Sequence, residues 1–202
     1  MSPADALFLQ SMLVLGAYLV GSISPGWLLA RRAGVDLRSA GSGVTGASNA
    51  ARVLGRSAYG WVLVLDALKG LLVVAFAEAY APGSTWAALT GPAVVAGHIW
   101  PIWLGFRGGR GAATYMGVCL AYDWRIVALA WIPGLLFGLV VHKGFAVRAV
   151  GFLASLPIGW WLLRGPVYHQ GIPGTIAQLA LASCFSMVLL AHRGHFAKHV
   201  PG

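Results

Sequence analysis

Charge is scarce in this chain of 202 residues, and acidic charge is the scarcest of all. Only 9% of the residues are charged, against about 25% in an ordinary soluble domain, and Asp and Glu together number 5. A composition that is 58% hydrophobic excludes an ordinary soluble domain. The sequence therefore predicts an all-α polytopic integral membrane protein, because helices satisfy their own backbone hydrogen bonds within lipid.

Cysteine is also rare, and no run of basic residues precedes the first apolar stretch. The two cysteines, Cys119 and Cys184, lie in apolar runs away from the polar loops, which favours buried free thiols over a disulfide or a metal pair. Residues 1–5 carry no basic run before the first apolar stretch, so we expect no cleaved signal peptide. There is no soluble basic domain, and no nucleic-acid partner is predicted.

Long apolar runs are what the sequence has in abundance. Because about 20 apolar residues cross the hydrocarbon core, the pattern predicts about seven membrane-spanning helices in a single membrane-embedded domain, residues 1–202. The fourth is short enough to be tilted or partly re-entrant, which leaves open whether residues 112–141 cross the membrane twice. The predicted spans are residues 6–30, 57–80, 86–103, 112–122, 126–141, 149–164 and 173–191.

Basic residues are distributed unevenly between the two ends of these spans. One side carries only Arg125 and Arg164, and Lys69 lies inside a span. Since positive loops stay in the cytosol, the N-terminus is expected outside and the C-terminus in the cytoplasm. The same charge suits anionic lipid headgroups as well as an anionic substrate. The other side carries Arg31, Arg32, Arg38, Arg52, Arg56, Arg107, Arg110, Lys143, Arg148, Arg193 and Lys198.

The longest polar segment, residues 36–55, combines glycines, hydroxyl groups, an amide and arginines. Glycine lets backbone N–H groups converge on one point, hydroxyl and amide groups add neutral donors, and a guanidinium fits a phosphate. The pattern predicts an anion-binding loop, although a flexible glycine-punctuated loop has similar spacing. The candidate ligands are Arg38, Gly41, Ser42, Gly43, Thr45, Gly46, Ser48, Asn49 and Arg52.

Residues 97–114 repeat this chemistry at the end of the third predicted span. Two arginines flank a double glycine, and a glycine opens the next helix, whose free N–H groups carry a partial positive charge that suits an anion. Two such loops on one membrane face indicate either two phosphate sites or one site shared by both. The candidate ligands here are Arg107, Gly108, Gly109, Arg110 and Gly111.

Few ionisable residues lie inside the predicted spans. A charge at mid-membrane costs about 2.5–3.5 kcal/mol, so Asp66 and Lys69, at i and i+3 on one helix face, are predicted to pair. The pair either only orients its helix or braces the phosphate loops. His98, beside the second loop, is the candidate general base, with a structural hydrogen bond as the alternative. Ser22, Ser24 and Pro25 indicate a kink in the first span, with lining of the site as the alternative.

Three histidines near the C-terminus have a spacing that metal sites use. His192, His195 and His199 lie on a short tail without Cys or carboxylate partners, so the metal signal is weak. No metal site and no cofactor are predicted.

Taken together, these segments resemble the bacterial acyl-phosphate:glycerol-3-phosphate acyltransferases of the PlsY type. The resemblance implies acyl transfer from acyl phosphate to the 1-hydroxyl of glycerol 3-phosphate, giving lysophosphatidic acid at the cytoplasmic face of the bacterial cell membrane. It also implies a functional link to the enzymes that produce acyl phosphate and that add the second acyl group. The resemblance is carried by residues 21–23, 38–55, 66–70 and 97–114, in the family's order and spacing.

The resemblance also implies roles for individual residues. His98, Ser42 and Asn49 are implied at the catalytic centre, with Asp66 and Lys69 in support. Phosphate binding is assigned to the ligands of the two loops and to a third motif that begins with His192 and Arg193.

The chain departs from the family pattern at three places. Val44 stands where the family usually has asparagine, Arg107 and Arg110 stand where it usually has lysine, and Gly194-His195 replaces the Glu-Asn of the third motif. Arginine keeps the charge of lysine and changes its geometry. Two alternatives therefore remain open: a divergent or inactive paralogue that acts on another acceptor, and a small anion or lipid transporter.

Overall fold

All regular elements in the described part of the chain are helical, as the composition predicts. The computed structural model describes residues 3–133, 136, 144–162 and 174–196. The helices are α1 (Pro3–Gly21), α2 (Pro25–Arg32), α3 (Ala47–Leu54), α4 (Arg56–Tyr80), α5 (Thr85–Ile99), α6 (Ala112–Tyr122), α7 (Trp124–Ile126), α8 (Gly144–Leu162) and α9 (Gly174–Phe196). A 3₁₀ turn, Ile102–Leu104, follows α5, and a π-helix, Val127–Trp131, continues α7.

Four helical segments in the described residues are long and apolar enough to cross a membrane. They coincide with the first, second, third and seventh predicted spans. Exposed apolar side chains on them, such as Phe8, Trp61 and Phe76, suit a lipid environment. The four segments are Ala4–Arg32, Arg56–Tyr80, Thr85–Leu104 and Gly174–His192.

The remaining predicted spans are shorter or only partly described. The fourth, residues 112–122, agrees with α6, which has 11 residues and is too short to cross an unperturbed bilayer. The fifth, residues 126–141, lies partly outside the described residues, and α8 overlaps the sixth but begins earlier, at Gly144. The total of seven spans stays a prediction.

The first span is interrupted where residues 22–25 predict a kink. Helix α1 ends at Gly21 and α2 begins at Pro25, with Ser24 as the N-cap residue. The Ser24 hydroxyl accepts a hydrogen bond from the Trp27 N–H at 3.4 Å. Because proline has no N–H, the backbone ladder cannot continue through this point. The break directs the chain into the loop that precedes α3.

Glycines bring helix backbones into direct contact. A Cβ on Gly21 would collide with the Val94 carbonyl, and a Cβ on Gly70 would collide with the Thr114 carbonyl. The first contact joins α1 to α5, and the second joins α4 to α6. Small residues allow this close approach in membrane helix pairs. These contacts fix the positions of the helix ends from which the polar loops emerge.

Both cysteines are free and buried, which confirms the prediction for them. Cys119 on α6 and Cys184 on α9 belong to the largest apolar cluster, together with Tyr115 and Tyr122. This cluster packs α5, α6 and α9 against one another. At one end, through Ile99 and Val188, it reaches Gly111 of the second loop.

Candidate functional site

The first loop wraps around one buried amide. Asn49, with 0% of its surface exposed, lies on α3, and its Oδ1 accepts a hydrogen bond from the Ser42 N–H at 2.7 Å. Its Nδ2 lies 3.2, 2.9 and 2.9 Å from the carbonyl oxygens of Leu37, Ala40 and Val44. The amide is therefore engaged from both ends in holding the loop in shape.

Two glycines give this loop its turns. Gly41 and Gly43 have φ of 62° and 74°, the left-handed region that glycine enters at little cost. A Cβ on Gly41 would also collide with Asn49 Oδ1. Ser42, between the two glycines, stays exposed. The turn thus presents the Ser42 hydroxyl at the surface of the loop.

Helix α3 begins where the loop ends. Gly46 is its N-cap residue, and the exposed Ser48 lies in its first turn. The first N–H groups of a helix carry partial positive charge. Thr45, just before the N-cap, is fully buried, and its hydroxyl has no hydrogen-bond partner among the described residues.

The second loop folds back onto the end of α5. The Gly108 N–H donates to the Ile99 carbonyl at 3.1 Å, and the Gly109 N–H donates to the His98 carbonyl at 3.1 Å. A Cβ on Gly108 would collide with the His98 carbonyl, and one on Gly109 would collide with the His98 ring. The double glycine is thus required for close packing, and its two N–H groups are occupied by α5.

The two loops contact each other directly. The Thr45 N–H donates to the Gly108 carbonyl at 3.2 Å. Arg38 Nη1 donates to the Leu104 carbonyl at 3.5 Å. The two polar segments therefore form one continuous surface, which favours one shared site over two separate sites.

The arginines of this surface differ in how they are held. Arg38 forms an ion pair with Asp36 at 2.7 Å, and its guanidinium lies 5.9 Å from the centre of the Trp27 ring. The hydrogen bonds from Arg38 lower the pKa of Asp36 to about 2, so the pair is charged at neutral pH. Arg52 is exposed and lies 3.5 Å from Asn49 Oδ1. Arg107 is exposed, and its guanidinium has no hydrogen-bond partner among the described residues, whereas its backbone N–H donates to the Leu104 carbonyl.

Beneath the loops lies a buried group of three ionisable side chains. Lys69 Nζ is 2.8 Å from Asp66 Oδ1, so the predicted ion pair forms. His98 Nδ1 is 3.1 Å from the same Asp66 oxygen and 2.9 Å from Lys69 Nζ. His98 is only 4% exposed, with its ring against Gly109. The group links α4 and α5 to the second loop.

The third predicted segment approaches the second loop through α9. Val188 of α9 lies 3.1 Å from the position that a Cβ on Gly111 would take. His192, one turn further on, has Nδ1 2.8 Å from the Val188 carbonyl. The Arg193 and His195 side chains and residues 197–202 lie outside the described residues. Arg110 is half-buried between the double glycine and α6.

Several contacts that hold this surface together were not predicted from the sequence. Asp36 pairs with Arg38, and the Tyr18 hydroxyl donates to the Trp100 carbonyl at 2.8 Å. The Ser22 hydroxyl accepts from the Ile102 N–H at 3.4 Å. Asp36 had a local signal, because an acid two residues before an arginine in a turn can pair with it. The contacts of Tyr18 and Ser22 span about 80 positions and had no local signal.

Fold and surface define a class: a helical multi-pass membrane protein in which two glycine- and arginine-rich loops meet at one end of the helix bundle. Residues 11–202 match the family model described as glycerol-3-phosphate acyltransferase. The chain belongs to the glycerol-3-phosphate acyltransferase family.

Individual relatives agree with this assignment. A glycerol-3-phosphate acyltransferase of Geobacter metallireducens is 48% identical over 114 residues, which cover 56% of this chain and 59% of that protein. Glycerol-3-phosphate acyltransferase 1 of Desulfitobacterium hafniense is 37% identical over 190 residues, covering 94% of this chain and 90% of the relative.

A solved structure is similar over nearly the whole chain. It is the crystal structure of PlsY (YgiH), an integral membrane glycerol 3-phosphate acyltransferase, in its glycerol 3-phosphate form. The TM-score is 0.82 at 29% sequence identity, and the match covers 94% of this chain and 90% of that one.

Proposed function

We propose that this chain transfers an acyl group from acyl phosphate to the 1-hydroxyl of glycerol 3-phosphate and releases lysophosphatidic acid and phosphate. The observation that carries the proposal is the direct contact between the two arginine-bearing loops, through Thr45 N–H and the Gly108 carbonyl. The reaction needs two phosphate-bearing substrates side by side. Family membership and the likeness to PlsY support the same chemistry.

The exposed groups of the loop surface are the proposed ligands of the substrates. Arg52 and Arg107 carry exposed guanidinium groups, which bind phosphate oxygens in a two-pronged manner. Ser42 adds an exposed hydroxyl donor, and Gly46 with Ser48 offers the first turn of α3. His192 and Arg193 complete the proposed site from α9.

Other predicted ligands are proposed to act by shaping the surface. Asn49 holds the first loop through its amide, and Arg38 joins that loop to Leu104. Gly41 and Gly43 provide its turns, while Gly108 and Gly109 hold the second loop against α5. These residues place the exposed donors, and they keep the donor geometry fixed during the reaction.

The proposed mechanism is direct transfer. The acceptor hydroxyl oxygen forms a bond to the acyl carbon, and the bond between that carbon and the phosphate oxygen breaks. Because phosphate is already a good leaving group, no side chain needs to be acylated. The hydroxyl proton passes to a phosphate oxygen of the substrate, with His98 as the alternative base. The protein contributes positioning and donors to the developing oxyanion.

The test uses the purified full-length chain. Acyl phosphate and glycerol 3-phosphate should give lysophosphatidic acid and one equivalent of phosphate, whereas acyl-CoA should give no product. Absence of lysophosphatidic acid with either donor would overturn the proposal.

The double variant Cys119→Ala plus Cys184→Ala tests direct transfer. Both thiols are buried away from the loops, so the variant should keep the wild-type rate, and no acyl-protein should be trapped. A trapped acyl-cysteine would instead establish a covalent intermediate.

A second candidate function follows from the altered third motif. Val44 and Gly194-His195 replace amide- and acid-bearing residues of the family pattern, and the alternative that they leave open is a divergent paralogue that acts on another acceptor. If the wild type forms no lysophosphatidic acid from glycerol 3-phosphate and the double variant Val44→Asn plus His195→Asn does, the chain is a paralogue with another acceptor. If the wild type is active and the changes alter its rate little, the replaced residues are tolerated variation.

The finer points of topology belong to the same proposal. We propose seven spans in one domain, residues 1–202, with the N-terminus outside and the loops and C-terminus on the cytoplasmic side of the bacterial cell membrane. The excess of basic residues on the loop side supports this orientation. Acyl-phosphate synthesis would then precede the reaction, and a second acyltransferase would follow it.

A further inference from the structure

Lys69 makes contacts that an ion pair with Asp66 does not require. Its Nζ lies 3.1 Å from the Gly21 carbonyl and 2.8 Å from the Ile23 carbonyl, both in the break between α1 and α2. The lysine side chain is only 9% exposed. One ammonium group on α4 thus binds the broken part of the first span.

The break leaves these two carbonyls without helical donors. In an α-helix, each carbonyl accepts from the N–H four residues later. The partner of Gly21 would be Pro25, which has no N–H. The partner of Ile23 would be Trp27, whose N–H donates to the Ser24 hydroxyl instead. Lys69 therefore supplies the hydrogen bonds that the sequence of the break removes.

Lys69 and Asp66 also hold the His98 ring. The ammonium group of Lys69 has three N–H donors and lies within 3.1 Å of four polar atoms: the Gly21 and Ile23 carbonyl oxygens, Asp66 Oδ1 and His98 Nδ1. Asp66 Oδ1 lies 3.1 Å from the same ring nitrogen. The other ring nitrogen, Nε2, lies against Gly109.

This arrangement connects both loops to one side chain. On one side, Lys69 holds the break from which α2 leads into the first loop. On the other side, Asp66 orients His98, whose ring and carbonyl support Gly109 of the second loop. The three groups lie below the loop surface and do not form part of its exposed face.

We propose that Lys69 is a positioning residue for the acyl transfer: it fixes the break in the first span and the His98 ring together, and so sets the distance between the two loops. The kinetic part of this inference rests on the proposed function. A misplacement of about 1 Å in a reacting geometry can cost on the order of 100-fold in rate. Loss of the Lys69 contacts should therefore reduce catalysis without removing any substrate ligand.

The experiment compares Lys69→Met, which has similar length and no donor, with Leu68→Met on the exposed side of the same helix. Spin labels are attached at Ser39→Cys in the first loop and at Trp103→Cys in the second loop, both exposed, in a background with Cys119→Ala and Cys184→Ala. The labels report the distance between the two loops. The value of kcat/KM for acyl phosphate and glycerol 3-phosphate is measured on the unlabelled single variants.

We expect Lys69→Met to broaden the distance distribution and to lower kcat/KM about 100-fold. Leu68→Met should change neither. A Lys69→Met protein with an unchanged distribution overturns the inference, whatever its activity. If the wild type has no activity but Lys69→Met broadens the distribution, the proposed function fails and the positioning role stands.

Lys69→Gln covers the case in which Lys69→Met does not fold. Its shorter amide has two donors and no charge, so it can replace some of the carbonyl contacts but not the ion pair with Asp66. The distribution should be wider than in the wild type and kcat/KM should be reduced. Wild-type values for both measurements in Lys69→Gln would overturn the inference.

Discussion

At the scale of single residues, the partners of each arginine separate the groups proposed to bind substrate from those that shape the loops. Arg38, Arg52 and Arg107 are all exposed, but the guanidinium of Arg38 is held by Asp36 and by the Leu104 carbonyl. The same residue type thus serves two purposes within one surface. The distinction depends on partners that are near in space.

The first prediction concerns the exposed arginines. Arg52→Ala and Arg107→Ala should each weaken the binding of phosphate-bearing substrates by about 1.5–3 kcal/mol, the range of a lost hydrogen bond to a charged group. Substrate KM and kcat measure the effect, and melting temperature confirms that the variants are folded. Arg56→Ala, at the exposed start of α4, is the matched control and should behave as the wild type. Full activity in both site variants would mean that the loops are linkers.

The second prediction concerns the double glycine. Gly109→Ala places a methyl group against the His98 ring, and overpacking of this kind typically costs about 1–3 kcal/mol. Melting temperature and kcat/KM should both fall. Gly60→Ala is the control, because a Cβ there has nothing within 4 Å and alanine is favoured in a helix by about 0.5–1 kcal/mol. Equal melting temperatures and equal kcat/KM values in Gly109→Ala and Gly60→Ala would show that the contact between Gly109 and the His98 ring is not tight.

At the scale of elements, the first loop and α3 act as one unit through Asn49. The loop has few regular hydrogen bonds of its own, and the amide of α3 binds three of its carbonyls and one of its N–H groups. Buried polar groups that lose a partner each cost about 1–3 kcal/mol. The shape of the loop should therefore depend strongly on this side chain.

Asn49→Ala should release the loop, and limited trypsin digestion should then cut after Arg38 much faster than in the wild type. The rate of acyl transfer should fall as the rate of trypsin cleavage rises. Ser42→Ala is the matched control for loop order: it removes an exposed hydroxyl, so the digestion rate should stay at the wild-type value. Unchanged digestion in Asn49→Ala would show that other contacts hold the loop.

At the scale of the whole molecule, glycine contacts between helix backbones bring the loops together. Gly21 and Gly97 join α1 to α5, and Gly70 and Gly117 join α4 to α6. Lipid offers no hydrophobic driving force between apolar helices, so close backbone packing becomes important. The loop surface follows from which helix ends these contacts place side by side.

The orientation of the whole molecule gives the fourth prediction. A cysteine at Ala40 or at Gly105, introduced without the native thiols, should react with a membrane-impermeant reagent only from the cytosolic side. A cysteine at Gly83, beyond the other end of α4, should react only from outside. The physical reason is the retention of positively charged loops in the cytosol. Labelling of Ala40→Cys from outside would reverse the proposed orientation.

The sequence by itself determined the class of protein, the main apolar helices and the two polar loops. These follow from local quantities: the length of apolar runs, the positions of Pro25 and the glycines, and the i, i+3 spacing of Asp66 and Lys69. The tertiary structure alone decided which donors stay exposed. The tertiary structure also placed three sets of contacts between distant segments. Lys69 binds the Gly21 and Ile23 carbonyls, Thr45 binds Gly108, and the N–H groups of Gly108 and Gly109 bind α5. Helix packing sets these contacts, and the spacing of residues along the sequence does not predict them.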